Sequence, residues 1–314
     1  MSIQAMFSAM LELFAVLLVG YCCHRWRVFP QETQTVLTRV VLFVTAPCSI
    51  VYSALVNDDI PDVGTVLRLL GLGFLCYGVL MALSLGLTRL LRVGPGSRGA
   101  YVTMLVFSNC LFMGLPVVSA LFGEQALLYL SIFSLPFYPF LYIPGVYLMM
   151  LDSRHYSESV RRRRIRPADV VNPCLIAGLV AIGLTIFRLE PPEAVIQLID
   201  LIGGITTPAS LLVIGIAIAK LPLRAILGSW RIYVVTLFRL ILFPLVVWAI
   251  LRPFVADMVI LGVAVVVHAM PAAAVLPMLA HEYGSDEESV LQGVFLTTLF
   301  SMVTIPLLMV FLMR

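Results

Sequence analysis

The sequence predicts an all-α polytopic membrane protein: ten transmembrane helices in two inverted five-helix repeats, with the fourth and ninth helices broken. Three observations carry this. The 314 residues are 61% hydrophobic and only 12% charged, whereas soluble domains are about 45–50% apolar and about 25% charged. Apolar stretches of the roughly 20 residues needed to cross a bilayer recur along the whole chain. A single shift of 161 residues superimposes three separate motifs.

Taken in order, the spans are Ile3–Cys23, Thr35–Leu55, Val63–Leu87, Gly99–Phe122, Ala126–Met150, Val171–Phe187, Ala194–Ala219, Ser229–Leu251, Met258–Ala280 and Val290–Met313. The first lacks a basic leader and a small-residue cleavage site, so it reads as a retained span. The connections are brief and mostly polar, except for a basic stretch that carries Arg154, the run Arg161–Arg164 and Arg166. This divides the chain into a first repeat (1–150), a basic cytoplasmic linker (151–170) and a second repeat (171–314).

Basic residues fix the orientation. The loops after spans 1, 3, 5 and 7 hold Arg25 and Arg27, then Arg89, Arg92 and Arg98, then the linker arginines, then Lys220, Arg224 and Arg231. The opposite side holds Arg188, Arg252 and Arg314. The basic-rich side is cytoplasmic by the positive-inside rule, which puts both termini outside. A net charge of +3, with no basic patch carrying interleaved aromatics, excludes nucleic acid as a partner. The Arg161–Arg164 run reads first as a topology anchor, and second as a contact for anionic membrane lipid.

The repeat fixes the architecture. Arg27-Val-Phe-Pro30 falls on Arg188-Leu-Glu-Pro191, and Thr45-Ala-Pro47-Cys-Ser49 on Thr206-Thr-Pro208-Ala-Ser210. Leu115-Pro116 with Phe122-Gly123 falls on Leu276-Pro277 with Tyr283-Gly284. Each half holds an odd number of spans, so the halves enter the membrane in opposite senses, as in many secondary carriers.

The candidate site follows from where the helices must break. Span 4 carries Asn109, Gly114 and Pro116, and span 9 carries His268, Met270, Pro271 and Pro277. A proline removes a backbone donor and clashes with the preceding turn. Broken backbone in lipid costs several kcal/mol per orphan group, roughly, so it persists only where protein buries it or where it lines a cavity. The half-helix N-termini left at Pro116 and Pro271 would offer N–H donors to an anion. A simple kink is the plainer alternative. In spans 2 and 7, Pro47 and Pro208 read as structural, while Thr45, Ser49, Thr206, Thr207 and Ser210 either coordinate a substrate or cation or bond freed carbonyls. Asn109, Gly114, Pro116, His268, Met270, Pro271, Thr206 and Ser210 make up the substrate-site candidates.

Ionisable residues inside spans are few and therefore informative. Glu12, Asp200 and His268 are the proton-relay candidates. Arg239 reads first as a structural partner of Glu12 or Asp200, and second as a contact for an anion. Arg39 and Arg68 snorkel from span ends. The six cysteines show no metal-ligand spacing and read as free buried thiols. No metal site is expected, and no cofactor beyond a coupling proton or Na+. GxSxG, HExxH, Walker A and GxGxxG motifs are absent, and Gly94-Pro-Gly96 is a turn. No catalytic residues are assigned, and an enzyme is not expected.

The strings Asn109-x4-Gly114-Leu-Pro116, Pro208-Ala-Ser-Leu-Leu-Val-Ile-Gly215, Phe238-Arg239 and Met270-Pro271 through Glu282-Tyr283-Gly284 resemble the auxin efflux carrier family, in order and over essentially the whole chain. The resemblance implies two inverted five-span repeats, spans 4 and 9 crossing at their prolines, a scaffold part and a transport part, and homodimers. It associates bacterial members with malonate, malate and related carboxylates, and auxin with plant members. The long central hydrophilic loop of several plant carriers is missing. The expectation is a secondary active transporter of small organic anions in a bacterial inner membrane, working by alternating access. A sodium-coupled symporter of the bile-acid type and a non-transporting membrane receptor are the alternatives.

Overall fold

The computed structural model describes residues 3–30, 32–56, 61–153, 173–189, 191–220 and 229–312. The basic run assigned to the 151–170 linker, Arg224 and Arg314 lie outside them. In chain order the helices are α1 (Ile3–Arg25), α2 (Thr33–Leu55), α3 (Val63–Leu90), α4 (Arg98–Val106), α5 (Cys110–Phe122), α6 (Ala126–Asp152), α7 (Pro173–Phe187), α8 (Glu193–Lys220), α9 (Trp230–Leu251), α10 (Met258–Ala269), α11 (Leu276–Tyr283) and α12 (Glu287–Leu312). Six of them (α2, α3, α6, α8, α9, α12) are long and apolar enough to cross a membrane, and α5, α7 and α10 are shorter apolar helices. Among the described residues there is no β-strand beyond one isolated bridge.

Local chemistry sets the ends. Asp62 caps α3 by accepting from the Thr65 N–H at 3.2 Å, and Asp257 caps α10 by accepting from Val259 and Ile260 at 2.7 and 3.2 Å. Such caps satisfy donors that the first helical turn leaves free. Arg27, Arg92 and Arg188 take left-handed φ values of 58°, 50° and 48° just past α1, α3 and α7. Three helices widen into a π-turn two residues ahead of a proline: Val41–Thr45 before Pro47, Cys110–Gly114 before Pro116, and Phe238–Leu242 before Pro244. A fourth π-turn, Leu141–Gly145, contains Pro144. The proline ring cannot fit against the carbonyl of a regular preceding turn, and the wider turn accommodates it while the helix continues.

The helices pack in two groups. One contains α1, α2, α7 and α8; the other contains α3–α6 and α9–α12. In the first, α1 and α8 meet backbone to backbone. A Cβ on Gly20 would lie 2.6 Å from the Leu212 carbonyl, and one on Gly215 would collide with the Leu17 carbonyl. Small residues that let backbones approach are the usual glue of helix pairs in lipid. The groups meet where α1 and α8 lie on α5, where α1 lies on α12, and where α2 and α7 lie on α6.

The 161-residue shift also relates observed elements. The regular part of α5, Leu115–Phe122, matches α11, Leu276–Tyr283, residue for residue. Each is followed by a glycine with positive φ, Gly123 at 86° and Gly284 at 69°. The same shift relates Arg27 to Arg188, and the start of α6 at Ala126 to the start of α12 at Glu287.

Candidate functional site

The two interruptions meet. Between α4 and α5 the chain is extended at Phe107 and irregular at Ser108 and Asn109; between α10 and α11 it is irregular from Met270 to Val275. Ser108 and Ala272 form an antiparallel bridge. The Asn109 N–H donates to the Pro271 carbonyl at 2.8 Å, and the Ala273 N–H to the Phe107 carbonyl at 2.9 Å. The Ala272 N–H donates to Thr297 Oγ1 of α12 at 3.1 Å. Broken backbone deep in an apolar protein is stable only if such groups find partners inside.

The breaks lie upstream of two of the prolines that flag them in the sequence. Pro116 and Pro277 sit in the first turn of the helices that follow, where a missing N–H costs nothing. Pro271 lies within the irregular segment between α10 and α11 and lends its carbonyl to the pairing.

Arg239 closes the arrangement from behind. It is fully buried in the α9 π-turn. Its Nε donates to the Met270 carbonyl at 3.1 Å, and its Nη1 to the Leu105 and Val106 carbonyls at 2.9 and 3.2 Å. The guanidinium therefore caps the C-terminal ends of both α4 and α10, where the helix dipoles are negative. The sequence reading offered Glu12 or Asp200 as its partner. The structure supplies carbonyls instead, and both carboxylates lie on exposed helix faces.

A cavity of about 210 Å³ opens beside the crossing. The crossing segments give it Ser108, Asn109, Cys110, Leu111, Phe112 and Ala273–Val275; α2 gives Leu42 and Phe43; α6 gives Ser134, Phe137, Tyr138, Leu141 and Tyr142; and Pro173, Cys174 and Met278 complete the wall. The Asn109 side-chain amide makes no hydrogen bond among the described residues. Nor do the backbone N–H groups of Leu111, Phe112, Ala274 and Val275, at the starts of α5 and α11. The residues that carry these unused donors, at the first turns of two helices with positive dipole ends, line one small cavity.

Of the residues singled out from sequence, Asn109 alone lines this cavity. Gly114 and Pro116 are buried in α5. Met270 is fully buried. His268 lies behind the crossing, fully buried, with Nδ1 2.8 Å from the Ala264 carbonyl, its ring against Tyr77 at 5.2 Å and its Nε2 unpartnered. Thr206 and Ser210 of α8 and Thr45 of α2 are buried hydroxyls without a partner among the described residues. Pro47 serves the α2 π-turn, and Pro208 sits in the first turn after α8 is interrupted at Gly204 and Ile205.

Sequence reasoning passed over Asp152. Its buried carboxylate accepts from the Gly99 and Ala100 N–H groups at 2.9 and 3.0 Å and from Ser285 Oγ at 2.6 Å. It ties the end of α6 to the start of α4 and to the α11–α12 turn. A lone acid closing an apolar run was its only signal. Ser108, Ser134 and the α6 aromatics carried none beyond their apolar surroundings. All six cysteines are free, and among the described residues no group of His, Cys, Asp and Glu is arranged to hold a metal ion.

Residues 5–309 match the membrane transport protein family. An uncharacterized transporter of Methanocaldococcus jannaschii is 22% identical over 310 residues, with 96% of both chains covered. An uncharacterized transporter of Methanothermobacter thermautotrophicus is 23% identical, again with 96% of both covered. A Rhizobium meliloti protein named "Putative malonate transporter" is 21% identical over 94% of this chain and 92% of its own. Members of the family are transporters rather than enzymes. The chain is therefore a multi-pass membrane transporter and belongs to the membrane transport protein family, the auxin efflux carrier family that its fourth and ninth segments resemble.

Proposed function

We propose that this transporter is a secondary carrier of small organic anions, working by alternating access, with the carboxylate held at the paired interruptions. One observation carries the reading. Four residues with unused backbone N–H groups, and Asn109 with its unpaired amide, line one cavity of about 210 Å³. Backbone donors at helix N-termini are a recurrent anion site, and in carriers such sites form where discontinuous helices meet at the bilayer midplane. A carboxylate bound there satisfies the donors without a charged side chain in the cavity wall.

The positional matches at a shift of 161 residues support two inverted five-span units, with α4–α5 and α10–α11 each acting as one broken, crossing span. With the basic loops taken as cytoplasmic, the lining residues Pro173 and Cys174 at the start of α7 support a cavity open toward that side, and the packing of α1 and α8 on α5 supports closure on the other. The described state then faces inward. The group containing α1 and α8 is the scaffold, and the group containing the crossing moves. The location is a bacterial inner membrane.

The name of the Rhizobium meliloti relative makes malonate the first substrate to test. Counterflow of labelled malonate, malate and other small carboxylates in proteoliposomes should occur with the wild-type chain and be abolished in Asn109→Ala. A chain that binds these acids but exchanges none of them would be a receptor. A second reading, sodium coupling, is favoured by the unpartnered buried hydroxyls of Thr45, Thr206 and Ser210. Counterflow with Na+ replaced by K+ decides between sodium and proton coupling.

A further inference from the structure

A second cavity, of about 750 Å³, lies away from the crossing, where the end of α1 meets the end of α8. It is lined by His24, Arg25, Arg27, Phe29, Pro30 and Ala219. The chemistry of its wall is one-sided. Arg25 and Arg27 are exposed and make no ion pair among the described residues. His24 Nδ1 is buried without a hydrogen-bond partner. The nearest acid in sequence, Glu32, is exposed and forms no ion pair with them. The C-terminal ends of α1 and α8 each contribute roughly half a negative charge, so two guanidinium groups leave the corner positive.

The rim is apolar. Trp26 is 75% exposed and Val28 is 63% exposed, beside the cationic side chains on the same turn. A tryptophan next to arginines at a helix end is the side-chain signature of the membrane–water interface. The asymmetry of basic loops puts this end of α1 in the cytoplasmic leaflet, where anionic lipid is found. The cavity exceeds the space a bare phosphate needs and leaves room for a glycerol headgroup.

We propose that this corner binds a phosphate-bearing anion, namely the headgroup of an anionic phospholipid of the cytoplasmic leaflet. Arg25 and Arg27 hold the phosphate oxygens, His24 donates or accepts at the glycerol, and Trp26 and Val28 lie along the acyl chains. A lipid held here anchors the α1–α8 group independently of any substrate at the crossing.

The full-length protein in neutral detergent provides the test. Lipid retained per protein and the thermal unfolding midpoint are measured with phosphatidylglycerol, phosphatidylcholine, inorganic phosphate or glycerol 3-phosphate added. Phosphatidylglycerol should be retained over phosphatidylcholine and should raise the midpoint. Arg25→Gln/Arg27→Gln should weaken its retention about thirtyfold, the effect of removing two basic groups from an anionic surface. Arg89→Gln/Arg92→Gln, with the same charge removed from another cytoplasmic loop, should leave retention unchanged. His24→Asn is a milder variant that reads the same site if the double variant does not fold. Equal protection by inorganic phosphate, lost in the double variant, would keep the site and make a soluble phosphate its ligand. Wild-type retention in both Arg25→Gln/Arg27→Gln and His24→Asn, an equal loss in Arg89→Gln/Arg92→Gln, or no preference for phosphatidylglycerol overturns the proposal.

Discussion

Asn109 donates its backbone N–H to the carbonyl of Pro271, 2.8 Å away and 162 residues later in the chain. This bond and its counterpart from Ala273 to Phe107 tie the two interrupted segments together and put the Asn109 side chain on the wall of a cavity.

The pairing itself can be trapped. Ser108 and Ala272 face each other as the non-hydrogen-bonded pair of an antiparallel bridge, a geometry with Cα atoms about 4.5 Å apart and within disulfide range. In a background lacking the six native cysteines, Ser108→Cys/Ala272→Cys should cross-link under mild oxidation. After cleavage at a protease site placed in the 151–170 linker, the halves should stay joined until reduced. Separation without reductant would refute the crossing.

Asn109→Ala should abolish anion counterflow while leaving the unfolding midpoint within a degree or two of wild type, because the amide makes no hydrogen bond to the described protein. Asn109→Asp places a negative charge against the same donors and should also be inactive. Full counterflow by Asn109→Ala, measured in proteoliposomes, would remove the residue from the site.

Arg239→Met leaves the Leu105, Val106 and Met270 carbonyls buried without a donor. Hydrogen bonds to a charged group are worth about 1.5–3 kcal/mol each, and their losses at one side chain overlap. The expected destabilisation is on the order of 3 kcal/mol, read from thermal or denaturant unfolding in detergent. Arg239→Lys should recover only part of it, since an ammonium lacks the planar fork that reaches two helix ends.

Gly215→Val should be severe, because any Cβ there collides with the Leu17 carbonyl of α1 and backbone cannot yield as a flexible side chain does. Gly86→Ala in α3 meets nothing within 4 Å. It should be neutral or stabilising by up to about 1 kcal/mol, the difference in helix propensity. Comparing folded yield and midpoint for the two variants separates a packing glycine from an incidental one.

Asp152→Ala removes the acceptor shared by Gly99, Ala100 and Ser285. A loss of about 1–2 kcal/mol is expected from the lost cap, with faster proteolysis at the α11–α12 turn. Ser285→Ala should cost less, because the two backbone donors keep their carboxylate. Equal effects from both would shift the weight from the cap to the hydroxyl.

Much of this was legible in the residues. Hydropathy located the helices to within a few residues: Ala126, Met258 and Leu251 are span ends in both readings. The prolines announced the interruptions, because a ring without an N–H has the same local effect wherever the chain goes. They gave the exact break less well. Pro116 and Pro277 each sit in the first turn of a helix, a position a proline fits as readily as a kink.

Residue order alone was enough to show that the chain lives in lipid, roughly where most of its helices run, and that its two halves carry matching motifs; these follow from apolar length, charge and proline chemistry, all of them local properties. It took the packed chain to reveal that Arg239 serves carbonyls rather than carboxylates, that Asp152 joins the ends of α6 and α4 to the α11–α12 turn, and that Asn109 alone of the chosen site residues reaches the cavity. Those facts depend on which donor meets which acceptor across more than a hundred residues of chain. That pairing is settled by packing and by the need to satisfy every buried backbone group, and no local pattern encodes it.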